Sequence, residues 1–276
     1  MTCGVSGGAD SLALLILAVE AGCPTTAVHV DHGLRPGSVA EAERVAAAAA
    51  RVGAGFRSLR VEVAPGPDQE ARARAARHAA LGPEAALGHT ADDRAETVIV
   101  NLLRGAGLAG LASLRPGLRH PLLGLRRSET RSLCTSLGLD PFDDPSNGDP
   151  RFVRNRVRHE VLPLLAAVAG RDPVPLLVRT AEVAAADVDL LDALAAGIDP
   201  ADARALAAAP PPLAARAVRR WLTGDGGGPG GAERHPPDRA TVDRVLAVAA
   251  GRAVACEVSG GWRVARTGQV LRLERP

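Results

Sequence analysis

The feature that most limits what this chain can fold into is a glycine-containing hexapeptide near its first residue. Ser6-Gly7-Gly8-Ala9-Asp10-Ser11 lies between a short β-like run, Thr2–Val5, and a helical run that begins at Leu12. Glycines at a strand-to-helix turn let backbone N–H groups approach an oxyanion, and the helix N-terminus adds partial positive charge. Two serine hydroxyls add further donors. The hexapeptide therefore predicts a phosphate site in an α/β fold.

The acidic residue of the hexapeptide narrows this prediction. A carboxylate at Asp10 would repel phosphate unless a Mg2+ ion lay between them, so Asp10 is a candidate metal ligand. The alternative is an ordinary glycine turn with a serine cap. The chain supplies an internal comparison, because Ser259-Gly260-Gly261 repeats the tripeptide without the Asp-Ser continuation or a following helix. We interpret that second copy as a hairpin turn.

The composition excludes two other kinds of chemistry. The chain has 276 residues, is 46% hydrophobic, and carries 33 basic and 31 acidic side chains. All of the basic residues are arginine, which excludes Schiff-base chemistry on a lysine of this chain and a Walker A phosphate site. The early apolar run Leu12–Val19 is short and follows an acidic residue, so we expect neither a signal peptide nor a membrane span.

The cysteines are scattered along the chain and form no CxxC pair; they are Cys3, Cys23, Cys134 and Cys256. Such spacing argues against a disulfide framework, a zinc site and an iron–sulfur cluster. It is consistent with a reducing compartment, and we expect the protein in the cytoplasm.

Strand-like and helix-like runs alternate over residues 1–170. The expected strands include Thr25–Asp31, Phe56–Val63 and Ala85–His89, and the expected helices are 38–53, 69–81 and 92–103. This alternation predicts an α/β fold with a parallel sheet and helices on both faces. Arg154–Ala169 also has a helical pattern, which Pro163 should kink.

The pattern changes near residue 170. We expect a smaller, mostly helical domain over 171–276, with a flexible glycine-rich loop over 223–238 and a helix over 241–250. Short hairpins should end it, with strands at 255–258, 262–266 and 270–274.

The hexapeptide resembles the pyrophosphate loop of the N-type ATP pyrophosphatases, the PP-loop superfamily, whose fold is the adenine nucleotide alpha-hydrolase-like one. Further blocks follow in order: His29–Arg35, Glu70–Arg77, Gly88–Gly107, Pro121–Glu129, Asp144–Asn147 and Arg154–Arg158. This ordered set, over roughly residues 2–165, resembles the tRNA(Ile)-lysidine synthetase family.

The resemblance implies a two-step ligation. ATP adenylates the C2 oxygen of the wobble cytidine in an isoleucine tRNA with a CAU anticodon, and pyrophosphate leaves. The amine of free L-lysine then attacks C2, AMP leaves, and the product is lysidine. Mg2+ is the implied cofactor beside ATP, no membrane is involved, and a homodimer remains open.

The resemblance also implies site residues. The catalytic set is Asp10, Asp93, Glu96 and Arg154, with Asp10 as the Mg2+ ligand. The ATP-binding set is Ser6, Gly7, Gly8, Ala9, Asp10, Ser11, His32, Arg104 and Gly105.

The acidic residues at the start of the expected helix 92–103 have alternative roles. Asp93 and Glu96 share a helix face, where they would hold an ammonium and assist its deprotonation, or bind Mg2+ beside phosphates. The structural alternative is a solvated helix start favoured by the helix dipole, and we assign Asp92 to it. His32 and His89 fit a core position and a site position equally well.

A basic stretch predicts contact with nucleic acid. Residues 115–158 hold nine arginines and five acidic residues, a local excess that would steer tRNA phosphates. The predicted tRNA contacts are Asn155 and Arg158, then Arg219 and Arg220 beside Trp221. Arg156 is expected to be solvated, and Phe142 and Phe152 either stack on bases or, as we favour, pack under the loop. For Arg219 and Arg220 the sequence is equally consistent with an amphipathic helix whose arginine-rich face has only a structural role.

Three rival functions remain open at this point. A tRNA thiolase on the same fold would need paired cysteines, and a small-molecule ligase would not need the arginine-rich stretch. A nucleotide-binding scaffold would not need Asp10, Asp93 and Arg154 together. Pyrophosphate release that depends on both lysine and tRNA would separate all three from the ligation.

Overall fold

A computed structural model describes residues 1–31, 38–62, 69–142, 148–224 and 237–275. His32, the Asp144–Asn147 block and residues 225–236 of the expected flexible loop lie outside the described residues.

A parallel sheet of four strands forms the centre of the N-terminal part, in the order β3-β2-β1-β4. The strands are β1 (Thr2–Gly4), β2 (Thr26–Asp31), β3 (Gly55–Arg60) and β4 (Ala86–Leu87). The central strand β2 carries valines and a threonine, whose β-branched side chains suit a pleated surface, and four of its six residues are buried. The predicted parallel sheet is confirmed, and its strands are shorter than expected at β3 and β4.

Each of these strands is followed by a helix, namely α1 (Ala9–Glu20), α2 (Ser38–Arg51), α3 (Gln69–Leu81) and α4 (Ala91–Leu103). Helix α1 is apolar on most of its surface because it is covered on both sides, by the sheet and by α6 (Arg127–Ser136). Leu14 and Val45 belong to this core. The connection from β3 to β4 runs back across the sheet, so the right-handed rule for such connections places α3 on the opposite face from α1 and α2.

The strand order defines where the site forms. The chain moves outward from β1 to β2 and β3, and then returns to the other side of β1 to form β4. Ligand sites of open parallel sheets lie at such a switch point, beside the carboxyl ends of the strands. The N-termini of α1 and α4 therefore lie side by side. At Gly88 a Cβ atom would lie only 2.5 Å from the carbonyl oxygen of Asp10.

Shorter helices complete the N-terminal part: α5 (Leu108–Leu111), α6, α7 (Val153–Arg156) and α8 (Leu162–Ala169). A π-helical turn, Val157–Val161, joins α7 to α8, and Pro163 lies in the first turn of α8. Proline cannot donate the hydrogen bond of a helix interior, and the ladder is displaced just before it. The kink predicted within Arg154–Ala169 is therefore present as this π-helical turn.

The C-terminal part contains α9 (Val174–Ala196), α10 (Ala203–Ala208), α11 (Pro211–Thr223), α12 (Arg239–Ala249) and an antiparallel sheet of β5 (Ala255–Val258), β6 (Trp262–Thr267) and β7 (Val270–Glu274). The turns at Gly260, Gly261 and Gly268 have φ angles of 77°, 70° and 62°, which glycine adopts without strain. The two predicted hairpins are confirmed.

Two compact units divide the chain, Met1–Ala185 and Ala186–Pro276. The division lies inside α9, later than the boundary expected near residue 170. Whether 1–170 and 171–276 act as separate domains stays a prediction. Val218, Val245 and Val264 form part of the core of the second unit.

Among the described residues no single helix is long and apolar enough to cross a membrane. One pair passes that test only in combination, Val153–Ala169 with Val174–Ala196, and it is bent by 98°.

The close approach at Gly88 leads to a stability prediction. Gly88→Ala should lower the free energy of unfolding by about 1–3 kcal/mol, because the new methyl group meets backbone atoms of α1 that cannot move independently. Gly124→Ala is the control, since a Cβ atom at Gly124 meets nothing within 4 Å. Both tryptophans, Trp221 and Trp262, lie in the second unit, so urea unfolding of the first unit is followed by far-UV circular dichroism. Equal stability of the two variants would contradict the prediction.

Candidate active site

The hexapeptide forms a turn between β1 and α1. Gly7 has a φ of 90°, a conformation that side chains rarely adopt. Ser11 is buried, accepts a hydrogen bond from the Ser6 backbone N–H at 3.2 Å, and donates to the Gly8 carbonyl at 2.8 Å. The hydroxyl of Ser11 thus holds the turn in shape, while Ser6 is exposed. The N–H groups of Ala9 and Asp10, the first two of α1, have no intrahelical acceptor, so the turn can accept an anion.

Phe142 lies next to this turn. Its backbone N–H donates to the Gly7 carbonyl at 2.9 Å, and its Cβ would lie 3.9 Å from a Cβ at Gly7. The guanidinium of Arg44 lies 5.7 Å from the centre of the Phe142 ring. These contacts favour packing at the loop, which is the interpretation we preferred for Phe142.

Asp10 lies in the first turn of α1 and accepts a hydrogen bond from the Thr130 hydroxyl of α6. Its second carboxylate oxygen lies 3.5 Å from Nε of Arg127. Burial raises the pKa of Asp10 above its ordinary value, although the Thr130 hydrogen bond and the Arg127 charge oppose this shift. A bound cation would favour the ionised form that burial disfavours.

Asp93 has two roles in the structure. One oxygen, Oδ2, accepts hydrogen bonds from the Thr90 backbone N–H at 2.9 Å and from the Thr90 hydroxyl at 3.0 Å, which closes the first turn of α4. The other, Oδ1, lies 3.2 Å from both Arg127 and Arg154. Thr90 is the N-cap of α4, so the carboxylate that caps this helix also belongs to the charged site.

Glu96 is the centre of the charged site, and its side chain is 0% exposed. Arg158 donates to both of its oxygens, at 2.7 and 3.0 Å. Arg154 donates at 2.8 Å and Arg127 at 3.0 Å. Arg154 and Arg158 are four residues apart, and both reach Glu96. Arg156 points elsewhere and pairs with the exposed Glu160.

The three carboxylates and three guanidiniums form what we call the charge cluster: Asp10, Asp93, Glu96, Arg127, Arg154 and Arg158. Burial alone would raise the pKa of Glu96 and of Asp93. The surrounding arginines overcome it and hold the pKa of each carboxyl below its ordinary value. Both acids are therefore ionised and are weak bases.

Arg127 is the member of the charge cluster that the sequence analysis missed as a site residue. It is the first residue of α6, and its backbone N–H donates to the carboxylate of Asp92 at 2.8 Å. Arg126 donates twice to the same carboxylate, at 3.1 Å each. Asp92 is thus not the solvated charge we expected; it anchors the N-terminus of α6. The sequence signal available was the match of the Pro121–Glu129 block, which contains Arg127.

Other predicted ATP-binding residues are not brought to the charge cluster. Arg104 and Gly105 follow the last residue of α4 and are exposed. Eleven residues of helix separate Arg104 from Asp93, which is about 16 Å. Both stay predictions, as does His32, which lies outside the described residues.

His89 lies between β4 and α4 and contacts a second histidine. Its Nδ1 is 3.0 Å from Nδ1 of His120, so one ring donates a hydrogen bond to the other. Burial and the charge of Arg119 lower the pKa of His120. His89 also acts electrostatically on Asp93, whose pKa it helps to lower. The position at the edge of the charge cluster favours a site role for His89 over a core role.

Three of the four predicted tRNA contacts have side-chain hydrogen bonds within their own units. Arg158 is bonded to Glu96, and the Asn155 side chain donates to the Asp149 carbonyl at 2.9 Å. In the second unit Arg220 donates to the Asp192 carbonyl at 3.2 Å, and Arg216 pairs with the Asp192 carboxylate. All four predicted contacts, including Arg219, stay predictions.

Comparison with known proteins identifies relatives. Residues 1–165 match the family described as PP-loop domain. The tRNA(Ile)-lysidine synthase of Nocardia farcinica is 48% identical over 238 residues, 80% of this chain and 75% of that protein. Those of Mycobacterium bovis and Leifsonia xyli subsp. xyli are 44% and 42% identical, each over 81% of this chain and over 75% and 76% of those proteins.

The buried carboxylate of Glu96 generates a stability prediction. Glu96→Gln should lower the free energy of unfolding by about 3–5 kcal/mol at pH 7, because it removes the shared partner of three guanidiniums. The pKa of Glu96 in the folded protein is lowered. The difference in the free energy of unfolding is therefore largest above the unfolded pKa of about 4.3, and it is lost as the pH falls through the pKa of the folded protein. Urea unfolding of both proteins between about pH 3.5 and 7 measures it. A pH-independent difference would contradict the assignment.

Proposed function

Because the chain belongs to the tRNA(Ile)-lysidine synthase family, with a PP-loop domain over residues 1–165, we propose that it ligates free L-lysine to C2 of the wobble cytidine of an isoleucine tRNA with a CAU anticodon. ATP is converted to AMP and pyrophosphate. The tRNA substrate and the four free cysteines favour the cytoplasm as its compartment.

One observation carries the proposal beyond family membership. A single side chain, Arg127, contacts both the acid of the phosphate loop and the acid pair of α4, with distances of 3.5, 3.2 and 3.0 Å to Asp10, Asp93 and Glu96. The site for the nucleotide phosphates and the site for a cationic nucleophile are therefore adjacent. A ligase that adenylates one substrate and then attacks it with an amine needs this proximity.

In the first step the phosphate loop would hold the phosphates of ATP while the C2 oxygen of cytidine attacks the α-phosphorus and pyrophosphate leaves. Among the described residues no three His, Cys, Asp or Glu side chains are grouped to hold a metal alone. Mg2+ commonly takes one carboxylate and completes its shell with phosphates and water, and Asp10 fits as that carboxylate. When bound there, Mg2+ neutralises charge on the phosphates.

In the second step the lysine amine attacks C2 and AMP leaves. Asp93 and Glu96 are the carboxylates available to bind an ammonium of this substrate. Their lowered pKa values favour a role in binding the ammonium, and their expected part in its deprotonation stays a prediction. Arg154, next to both acids, would stabilise negative charge on the adenylate.

The test is pyrophosphate release from ATP and Mg2+ with and without an isoleucine CAU tRNA transcript and lysine, with lysine incorporation measured in parallel. We expect release that requires tRNA and incorporation that requires both substrates. Release without amino-acid transfer would contradict the ligation. A methionine tRNA, which shares the CAU anticodon, is the specificity control.

Asp93→Asn should abolish lysine incorporation while the helix content stays unchanged. Asparagine can still accept the capping hydrogen bonds of Thr90, but it removes the charge that faces the ammonium. Incorporation is measured beside circular dichroism, and Glu20→Ala, at the exposed end of α1, is the control. Incorporation by Asp93→Asn at the normal rate would refute the role of this acid.

For tRNA binding we propose Arg219 and Arg220 of α11, because Asn155 and Arg158 are engaged inside the first unit. Arg219→Gln should raise the tRNA dissociation constant and reduce the salt slope of log K by about one. Arg220→Gln should have a smaller effect, since Arg220 also bonds to Asp192. Arg263→Gln, paired with Glu274 on the sheet, is the control. An unchanged slope for Arg219→Gln would assign the arginines to a structural helix face.

A further inference from the structure

The charge cluster raises a problem for binding a cationic substrate. Asp93 and Glu96 already contact three guanidiniums in the structure. An ammonium that approached this arrangement would meet positive charge and carboxylate oxygens that are already hydrogen-bonded. One guanidinium must therefore leave before an ammonium can bind.

The contacts indicate which guanidinium is held least firmly. Arg158 is held by two bonds to Glu96, and Arg154 is held both by Glu96 and by the backbone carbonyl of Asp93, at 3.1 Å. Arg127 makes one contact to each of its acids, the longest at 3.5 Å. Such single contacts are weaker than the bidentate geometry of Arg158.

Within the charge cluster, Arg127 also contacts the phosphate loop, through Asp10. Its backbone is fixed at the start of α6 by Asp92, so the guanidinium can move while the helix stays in place. The phosphates of a bound nucleotide would attract this guanidinium, and arginine binds phosphate with the same fork that it uses for carboxylate.

We propose that Arg127 is a movable counter-ion that couples nucleotide binding to lysine binding. Without nucleotide its guanidinium occupies the place of the substrate ammonium beside Asp93 and Glu96. With nucleotide it turns to the phosphates, and the ammonium replaces it with no change in the total charge around the two acids. Arg127 is thus a positioning residue, and the inference rests on the proposed function because it takes lysine as the substrate.

The test is lysine binding, measured by equilibrium dialysis of labelled lysine with and without α,β-methylene-ATP and Mg2+. This analogue cannot be cleaved between the α and β phosphates, so no turnover interferes. In the unmodified protein lysine should bind about tenfold more tightly with the analogue than without it, and by linkage lysine should tighten analogue binding by the same factor.

Arg127→Gln should bind lysine without the analogue about as well as with it, because the competing guanidinium is gone. Arg127→Lys keeps a mobile positive charge. Its lysine binding should still tighten when the analogue binds, but by less than in the unmodified protein. Arg131→Gln is the control, since Arg131 lies one turn further along α6 and is exposed; it should keep the full factor. Circular dichroism checks the fold, and Arg127→Lys serves as the test if the glutamine variant does not fold.

Coupling that survives in Arg127→Gln, or equal lysine affinity with and without the analogue in the unmodified protein, would overturn the inference and leave the proposed function intact. Lysine binding in neither state, also with tRNA added, would overturn the inference and the proposed function together.

Discussion

The ion pairs around Glu96 are the interaction on which the rest of the site depends. A carboxylate that is 0% exposed is tolerated only with close partners, because an unpaired charge in the interior costs several kcal/mol. Its partners come from α6, α7 and the π-helical turn. The same charge therefore holds α7 and the π-helical turn against α4, and it gathers the three guanidiniums beside the phosphate loop.

The sheet explains why these elements meet at this point. The return of the chain across β1 to form β4 brings the N-termini of α1 and α4 together, and Gly88 permits an approach that a side chain would block. Two helix N-termini favour anions at this place. Asp10 and Asp93 lie in those first turns, and Glu96 adds a third carboxylate nearby. Because these negative charges lie close together, the arginines act as their counter-ions in the absence of substrate. Exchange of counter-ions then provides a physical route from nucleotide binding to the binding of a cationic nucleophile.

The sequence was sufficient for the sheet, its helices and the terminal hairpins, because periodicity and glycine turns act locally. Through a family resemblance it also singled out Asp10, Asp93, Glu96 and Arg154, which lie together in the structure. It gave Arg127 no role, although this residue lies in the matched Pro121–Glu129 block, because an arginine-rich stretch does not show which side chain meets three acids. For the same reason the bonds of Arg158 to Glu96 were not foreseen, and its predicted contact with tRNA stays a prediction. Asp92 was misjudged because its partner, the start of α6, is distant in sequence.

The most direct measurement of this account is a double-mutant cycle between Glu96 and Arg158, with free energies of unfolding from urea titration at pH 7. If the ion pairs hold the site together, Arg158→Gln should cost far less in a Glu96→Gln background than in the unmodified protein, with a coupling energy of about 1–3 kcal/mol. Additive effects within about 0.3–0.5 kcal/mol would show that the two side chains act independently, and would contradict the central role given to the charge cluster.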